Sequence, residues 1–137
     1  MRPLARPLQV SASPGLSVAS DFRGLFDKVH VALFPLDDWT AIPAHLAWGG
    51  WNECPAPELH VVAWRSWRER YGAELVGLSI DTLNLRVAHR PQSRDEALQL
   101  AREQFIYCTD IVEQGVGSLG HLAAYLMADN WWYFWWD

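Results

Sequence analysis

The last residues of the chain form an uninterrupted aromatic run, WWYFWW, over residues 131–136. Aromatic side chains favour the pleated surface of a β-strand. Alternate residues point to opposite faces of a strand, which divides the run into two sets: Trp131, Tyr133 and Trp135, and Trp132, Phe134 and Trp136. Both sets are aromatic, so we predict a strand that is buried on both faces. The rest of the chain must then fold around it.

The composition supports such a core. Half of the 137 residues are hydrophobic and nine are tryptophan, enough for one domain and too few for two ordinary ones. The two cysteines, Cys54 and Cys108, do not make a disulfide scaffold. Residues 1–20 are rich in Pro, Ser and Ala without a clear period. We predict a flexible N-terminal arm over 1–20 and a single domain over 21–137.

Charge excludes some partners. The net charge is −5 and the pI is near 5.4, which argues against a nucleic-acid binder that relies on phosphate attraction. No segment approaches the ~20 apolar residues of a membrane-spanning helix, and the N-terminus lacks the apolar run of a signal peptide. We expect a cytoplasmic protein with no nucleic-acid or membrane partner. No phosphate-binding glycine loop appears, and we expect no cofactor and no metal.

Two segments predict further strands. Residues 29–34, VHVALF, alternate Val29, Val31 and Leu33 on one face and stop at Pro35. The segment ELVGLSIDTLNLRV predicts a hairpin with a two-residue turn at Asp81-Thr82. This turn places apolar residues opposite one another on one face: Ile80 and Leu83, Leu78 and Leu85, and Val76 and Val87. Ser79 and Asn84 then lie on the other face.

Helical periodicity appears between these strands. From Glu58 to Tyr71 the apolar spacing predicts a helix that ends at Gly72. Its expected inner face contains Leu59, Val62, Ala63, Ser66, Trp67 and Tyr71. His60 is expected near the solvent side of this helix.

Capping residues mark the later helices. Ser93 and Glu96 form a capping box before a helix that buries Ala97, Leu98, Ala101, Phe105 and Cys108. Asp110 is predicted to cap a further turn with Glu113 as its partner, broken by Gly115 and Gly117. Ser118 is predicted to cap a last helix with an inner face of Leu119, Leu122, Ala123 and Leu126. The element order predicts an α+β fold, with a mostly antiparallel sheet and helices packed on it.

Several blocks together resemble a known family. They are WGGWNECP, WRERYGAEL, DTLNLRV, EALQLAREQFIYCTDIVEQG and the terminal WWYFWWD. They are similar in order and spacing to a bacterial family of domains of unknown function, DUF4253, over residues 29–137. The family motif corresponds here to Gly49, Gly50, Trp51, Asn52, Cys54, Pro55, Trp67, Tyr71, Gly72, Glu103, Cys108, Asp110, Trp136 and Asp137. The resemblance implies no activity. One departure is Asn84, where the family pattern often has a glutamate.

The loop WGGWNECP contains the first candidate site. Asn52 can cap the following helix or fix its own turn, and the neighbouring Glu53 is a further candidate. Alternatively the loop faces a ligand. A pocket lined by Trp48, Trp51 and the terminal tryptophans, which include Trp136, with Asn52 and Asp110 at its rim, suits a small or peptidic ligand. Asp137 is expected to meet an arginine or the Asn52 loop.

The cysteines and carboxylates contain a second candidate. Cys54 precedes a helix, with His60 one or two turns onward, which suggests a nucleophile; burial as a small apolar side chain is the alternative for Cys54 and for Cys108. A disulfide between them, or zinc held by Cys54, His60, Cys108 and Asp110, are further alternatives. Glu103 is expected to bind an arginine such as Arg70 or Arg65.

These observations support two main hypotheses and a third. The first is a non-enzymatic binding module with a protein partner, where an acidic protein neutralises a basic one as toxin-immunity proteins do. The alternative is a hydrolase, which requires Asn52, Cys54, Glu103 and Asp110 to converge on one cleft. A third hypothesis is stacking of a carbohydrate or nucleobase on the tryptophans. The oligomeric state is left open.

Overall fold

A computed structural model describes residues 27–137 and the backbone of residues 20–21 and 24–25. The predicted arm over 1–20 lies almost entirely outside the described residues. Two short strands, β1 (Ser20–Asp21) and β2 (Gly24–Leu25), pair antiparallel. The other elements belong to the domain that follows these two strands.

The sheet of this domain has three antiparallel strands in the order β3-β4-β5. They are β3 (Glu74–Leu78), β4 (Thr82–Arg86) and β5 (Trp131–Trp135). The central strand β4 is buried at Leu83, Asn84 and Leu85. The chain is therefore a single α+β domain with an antiparallel sheet, as the sequence predicted.

The predicted hairpin exists, but its register was wrong. Leu78 pairs with Leu83, and Leu75 with Leu85, with a bulge between Leu75 and Gly77. The turn is centred one residue earlier than predicted, because the Ser79 amide donates to the Thr82 carbonyl at 2.9 Å and the Ser79 hydroxyl accepts from the Thr82 amide at 3.2 Å. These bonds leave Ile80 at the tip, and Val76 lies at the bulge. Both are exposed.

Helices pack against one face of the sheet. The α-helices are α1 (Ile42–Leu46), α2 (Pro57–Tyr71), α3 (Arg94–Tyr107) and α4 (Leu119–Ala128). A 3₁₀ turn (Trp39–Ala41) precedes α1, and a π-helix (Ile111–Val116) lies between α3 and α4. The predicted caps at Ser93 and Ser118 are confirmed: each hydroxyl accepts an amide three residues on, at 3.1 Å, and Gly72 ends α2 at φ 62°.

The inner face of α2 was predicted only in part. Trp67 and Tyr71 are buried as expected, but Leu59 and Val62 are exposed. The other buried residues of the helix are His60, Val61 and Trp64. The apolar residues of α2 itself lie on nearly every side of the helix, so periodicity alone does not select the buried face. The face that is buried is the one that contains the large ring of Trp64, which is fully buried.

The inner faces of α3 and α4 agree better with prediction. Ala97, Ala101 and Cys108 are buried, whereas Leu98 and Phe105 pack on the core while partly exposed. The residues of α3 that prediction omitted are Leu100, Gln104 and Tyr107. On α4, Leu122, Ala123 and Leu126 are buried as predicted.

Strand β5 is confirmed, but it is not buried on both faces. Trp132 and Phe134 are opposite Leu85 and Leu83 in the register and share their buried face. On the opposite face Tyr133 is 39% exposed. The core of the domain lies on one side of the sheet, which explains the difference.

The predicted strand at residues 29–34 is absent. This segment has no regular secondary structure and pairs with no described strand. Val31 and Leu33 are 88% and 92% exposed. Alternating apolar residues favour a strand only when a sheet edge is available, and here the chain is instead anchored at Phe34, whose ring meets that of His45 at 6.0 Å. Among the described residues, no helix has the length and apolar character needed to cross a membrane.

Candidate functional site

The loop WGGWNECP wraps closely around the start of α2. Gly49, Gly50 and Asn52 all have positive φ, at 114°, 83° and 46°. The Gly50 amide donates to the Pro55 carbonyl at 2.8 Å. A Cβ atom on Gly49 would lie 2.4 Å from the Pro55 oxygen and 2.8 Å from the His60 ring. Glycine is required at position 49 because backbone and imidazole approach it so closely.

The two tryptophans of this loop are packing residues. Trp48 and Trp51 meet edge to face at 5.0 Å, and the Trp48 indole N–H donates to the Ser79 carbonyl at 2.8 Å. Trp48 also contacts the rings of His60 and Trp136, at 4.7 and 5.9 Å. Trp136 is only 3% exposed. The predicted tryptophan-lined pocket is therefore filled by the rings themselves.

Three of the predicted site residues meet around the final residue. The Asn52 side-chain amide donates to the Asp137 carbonyl at 2.7 Å, and the Asp137 amide donates to Asp110 Oδ2 at 3.1 Å. Of the two alternatives for Asp137, the Asn52 loop is correct. Asn52 does not cap α2, because its side chain is used in this contact. The hydrogen bonds of Asp137 with Asn52 and Asp110 therefore connect the residues after β5 to the loop and to the π-helix.

The predicted cap at Asp110 was wrong. Asp110 stands at the start of the π-helix, but its side chain accepts no capping bond there. Its Oδ1 accepts from the Gln114 amide at 2.9 Å, and its Oδ2 binds Asp137. Nearby, the Thr109 hydroxyl donates to Glu53 Oε2 at 3.3 Å, which joins the loop to the end of α3.

Cys54 and His60 do meet, but inside the protein. Cys54 Sγ lies 3.3 Å from His60 Nε2, and His60 Nδ1 lies 2.5 Å from the Tyr107 hydroxyl. The expectation that His60 lies near solvent was wrong, since it is fully buried. Its position follows from the phase of α2, which turns His60 inward beside Trp64.

Hydrogen bonding fixes the tautomer of this histidine. Trp64 Nε1–H donates to the Tyr107 oxygen at 3.0 Å, which leaves the Tyr107 proton available for His60 Nδ1. The Pro55 carbonyl on the Nε2 side of the ring can only accept, so it favours a ring proton on Nε2. The ring proton of neutral His60 then lies on Nε2, facing Cys54 Sγ and the Pro55 carbonyl. A nitrogen that already bears a proton cannot accept the thiol proton.

The pKa values support the same conclusion. Burial lowers the pKa of His60 to about 4 and raises the pKa of the Cys54 thiol to about 12. Both groups are neutral near pH 7, whereas a reactive cysteine needs a thiolate. Burial also raises the pKa of Tyr107 well above its usual range. The network of Cys54, His60, Tyr107 and Trp64 is a neutral, internally bonded part of the core.

Cys108 is a second buried thiol. It donates from Sγ to the Trp135 carbonyl at 2.9 Å, and burial raises its pKa to about 11. Both cysteines are free, so no disulfide joins them. Among residues 27–137, no group of three or more His, Cys, Asp or Glu side chains has an arrangement that could hold a metal ion. The four proposed zinc ligands do not form such a group.

Glu103 lies in a separate contact. It accepts from Arg70 at 2.8 and 3.1 Å and from the Trp67 indole at 3.5 Å. The predicted ion pair with Arg70 is confirmed, and it fastens α3 to α2. The four residues of the hydrolase hypothesis therefore occupy three different hydrogen-bonded groups: Cys54 with His60, Asn52 and Asp110 around Asp137, and Glu103 with Arg70.

Sequence reasoning missed two members of the buried network, Trp64 and Tyr107. A signal for Tyr107 was present, because Leu100, Gln104 and Tyr107 follow one another at helical spacing. It was overlooked because the predicted stripe followed Leu98 and Phe105 instead. No signal in the sequence joins Tyr107 to His60, since the two are 47 residues apart.

Comparison with known proteins gives a family and no activity. No curated protein matches the chain, and no solved structure does. One family model matches residues 30–137, which is most of the chain and contains the loop, the buried network and the final strand. This chain belongs to the DUF4253 family, a domain of unknown function.

Proposed function

We propose that this protein is a non-catalytic binding module that receives a basic protein partner on an apolar surface in a mainly acidic stretch of the chain. The observation that carries the proposal is a set of large apolar side chains, each 48–92% exposed. They define the α1–α2 face: Val29, Val31, Leu33, Leu46, Leu59 and Val62. Exposed apolar surface of this extent is typical of interaction sites.

The elements that carry these residues contact one another. Helix α1 packs on α2, and the Phe34 ring joins the 29–33 segment to His45 of α1. Asp38 binds Arg65 and Arg68 of α2 at 3.3 and 2.6 Å. These contacts support treating the exposed residues as one surface on one side of the domain.

Charge indicates the kind of partner. Between residues 27 and 64 the chain has five acidic residues and one basic residue, Lys28. The acidic residues are Asp27, Asp37, Asp38, Glu53 and Glu58. Asp38 is used by Arg65 and Arg68, which neutralises the nearest basic side chains. An apolar surface in a mainly acidic stretch of the chain complements a partner that is basic around an apolar patch.

The test selects a peptide library on the immobilised full chain and then titrates one enriched synthetic peptide into ¹⁵N-labelled protein. Enriched peptides should combine Lys or Arg with apolar residues, and amide shifts should concentrate at residues 29–33, 46 and 59–62. The variant Val31→Lys/Leu33→Lys should weaken binding by at least about tenfold, because it places positive charge, which repels a basic partner, at the apolar centre. These side chains are so exposed that the fold should be unaffected.

The matched control is Ile80→Lys, since Ile80 is 84% exposed but lies outside the α1–α2 face. Equal weakening by the control would contradict the proposal, and so would enriched peptides of acidic character or shifts elsewhere. Light scattering supplies another decisive result. A dimer that the double variant dissociates would show that a second copy, and not a basic partner, covers this surface.

A further inference from the structure

An open cleft of about 480 Å³ lies near the ends of α2 and α4. It is formed by the start of β3, the last residues of β4 and α4, and the start of β5. Its charged and polar lining comes from Glu74, Arg86, Asp129, Asn130 and Trp131. None of these residues belongs to the α1–α2 face or to the WGGWNECP loop.

Three of these side chains form a row across the sheet. Glu74 is the register partner of Arg86, and Arg86 is the partner of Trp131. The Arg86 guanidinium lies over the Trp131 ring at 5.6 Å. In the described part of the chain, neither Glu74 nor Arg86 forms an ion pair. Two opposite charges therefore line one cleft without neutralising each other.

Asp129 is the buried member of the cleft. It is only 6% exposed, and its Oδ1 accepts from the Trp131 amide at 2.8 Å. Its carboxylate makes no other hydrogen bond within residues 27–137. The nearby Arg90 instead donates to the carbonyls of Met127 and Ala128, at 3.3 and 3.2 Å. The Asp129 Oδ2 is still reached by solvent, but a charge on a residue so little exposed is unfavourable when no protein donor compensates it.

The place of Asp129 in its helix increases this cost. Asp129 directly follows α4, where the helix dipole is negative and a carboxylate is disfavoured. Its charge therefore does nothing for the helix, and only one of its oxygens serves the backbone. Asp129 lines the cleft, where a donor with positive charge would satisfy its second oxygen.

We propose that this cleft binds a free α-amino acid. The ammonium group binds Asp129, with Glu74 adding negative charge at the rim, and the carboxylate binds the Arg86 guanidinium. A zwitterion satisfies both unpaired charges at once, which neither a simple amine nor a simple acid does. The volume is near the lower end of the range for ligand sites, which suits one amino acid.

The experiment titrates the ¹⁵N-labelled full chain with L-leucine, L-phenylalanine, L-lysine and L-glutamate. At least one should shift amides confined to residues 72–74, 86–88 and 128–131. Butylamine and butyrate, which each lack one charge, should bind at least about tenfold more weakly. Arg86→Gln and Asp129→Asn should each weaken amino-acid binding by a similar factor. Arg102→Gln, an exposed arginine of α3, should leave it unchanged.

Several results would overturn this inference. They are no shift of these amides with any amino acid at millimolar concentration, butylamine binding as well as the amino acids, or full affinity in Arg86→Gln. Arg86 is exposed, so this variant tests the site even if Asp129→Asn folds poorly. The inference does not depend on the α1–α2 face, since Val31→Lys/Leu33→Lys should bind amino acids normally.

Discussion

Two polar groups of residues in this domain differ in how completely they are bonded. Around His60, each ring nitrogen faces a protein partner, Cys54 on one side and Tyr107 on the other. Around Asp129, one carboxylate oxygen and the Arg86 guanidinium have no hydrogen-bond or ion-pair partner in residues 27–137. By residue type, the first group resembles a catalytic dyad and the second an ordinary surface.

The difference shows that bonding, more than residue type, separates structure from function. A thiol and an imidazole that bond each other in a dry interior contribute to stability and stay neutral. Charges that the protein leaves unpaired in an open cleft retain their capacity to bind something else. The free energy of unfolding of variants in both groups of residues tests this contrast.

The largest effect is expected where the loop seals the His60 network. Gly49→Ala should lower the free energy of unfolding by about 3 to 4 kcal/mol, because the new Cβ meets Pro55 and His60 and because φ is positive. Gly50→Ala is the matched control: φ is again positive, but nothing lies within 4 Å. Its expected cost is about 1 kcal/mol. Equal costs in urea unfolding would show that contact with His60 does not matter.

The second effect is a pH dependence. The pKa of His60 falls from 6.5 to about 4 on folding because the ring is buried, so the unfolded state takes up a proton first. Stability should be complete above pH 6.5 and decrease as the pH falls, by about 3 kcal/mol when pH 4 is reached. Urea unfolding between pH 4 and 7 measures this slope. His60→Asn should flatten it, and an unchanged slope in this variant would exclude His60 as its source.

The third effect concerns the hydroxyl that joins the network. Tyr107→Phe leaves His60 Nδ1 and Trp64 Nε1 without their partner in the core, so it should cost about 2 kcal/mol. Tyr133→Phe is the control, since Tyr133 is 39% exposed on the outer face of the sheet. It should change stability by less than about 0.5 kcal/mol. Thermal and urea unfolding of both variants decide whether the network is as tightly bonded as its geometry indicates.

The smallest effect, and the one of opposite sign, is expected in the cleft. Asp129→Asn keeps an oxygen for the Trp131 amide but removes the charge at the negative end of α4. Stability should rise by about 0.5 kcal/mol. A loss above 1 kcal/mol, estimated for a broken buried hydrogen bond, would mean that the Asp129 charge is structural. The contrast with Tyr107→Phe would then disappear.

Much of the local structure could be predicted from the sequence. The capping serines Ser93 and Ser118, the stop at Gly72 and the aromatic strand at residues 131–135 all follow from local chemistry. They depend on neighbours within a few residues, which the sequence displays directly. The fold class was predicted correctly from the order of these elements, and the family from the resemblance of several sequence blocks.

Predictions that required a distant partner succeeded less often. The segment at 29–34 alternates like a strand but has no described edge to pair with. The hairpin register depended on two bonds between Ser79 and Thr82, which apolar pairing did not reveal. The ion pair of Glu103 with Arg70 was predicted, because opposite charges on two helices left few alternatives.

The sequence by itself determined the elements of this domain, because capping, turn formation and periodicity act over short distances along the chain. Tertiary structure decided which face of α2 is buried, because several apolar faces competed and the packing of Trp64 selected one. Burial of that face turned His60 into the core, where its ring nitrogens face Cys54 and Tyr107 and it does not act as a base for the thiol. The tertiary structure also placed Asp129 and Arg86, separated by 43 positions, on one cleft without an ion-pair partner.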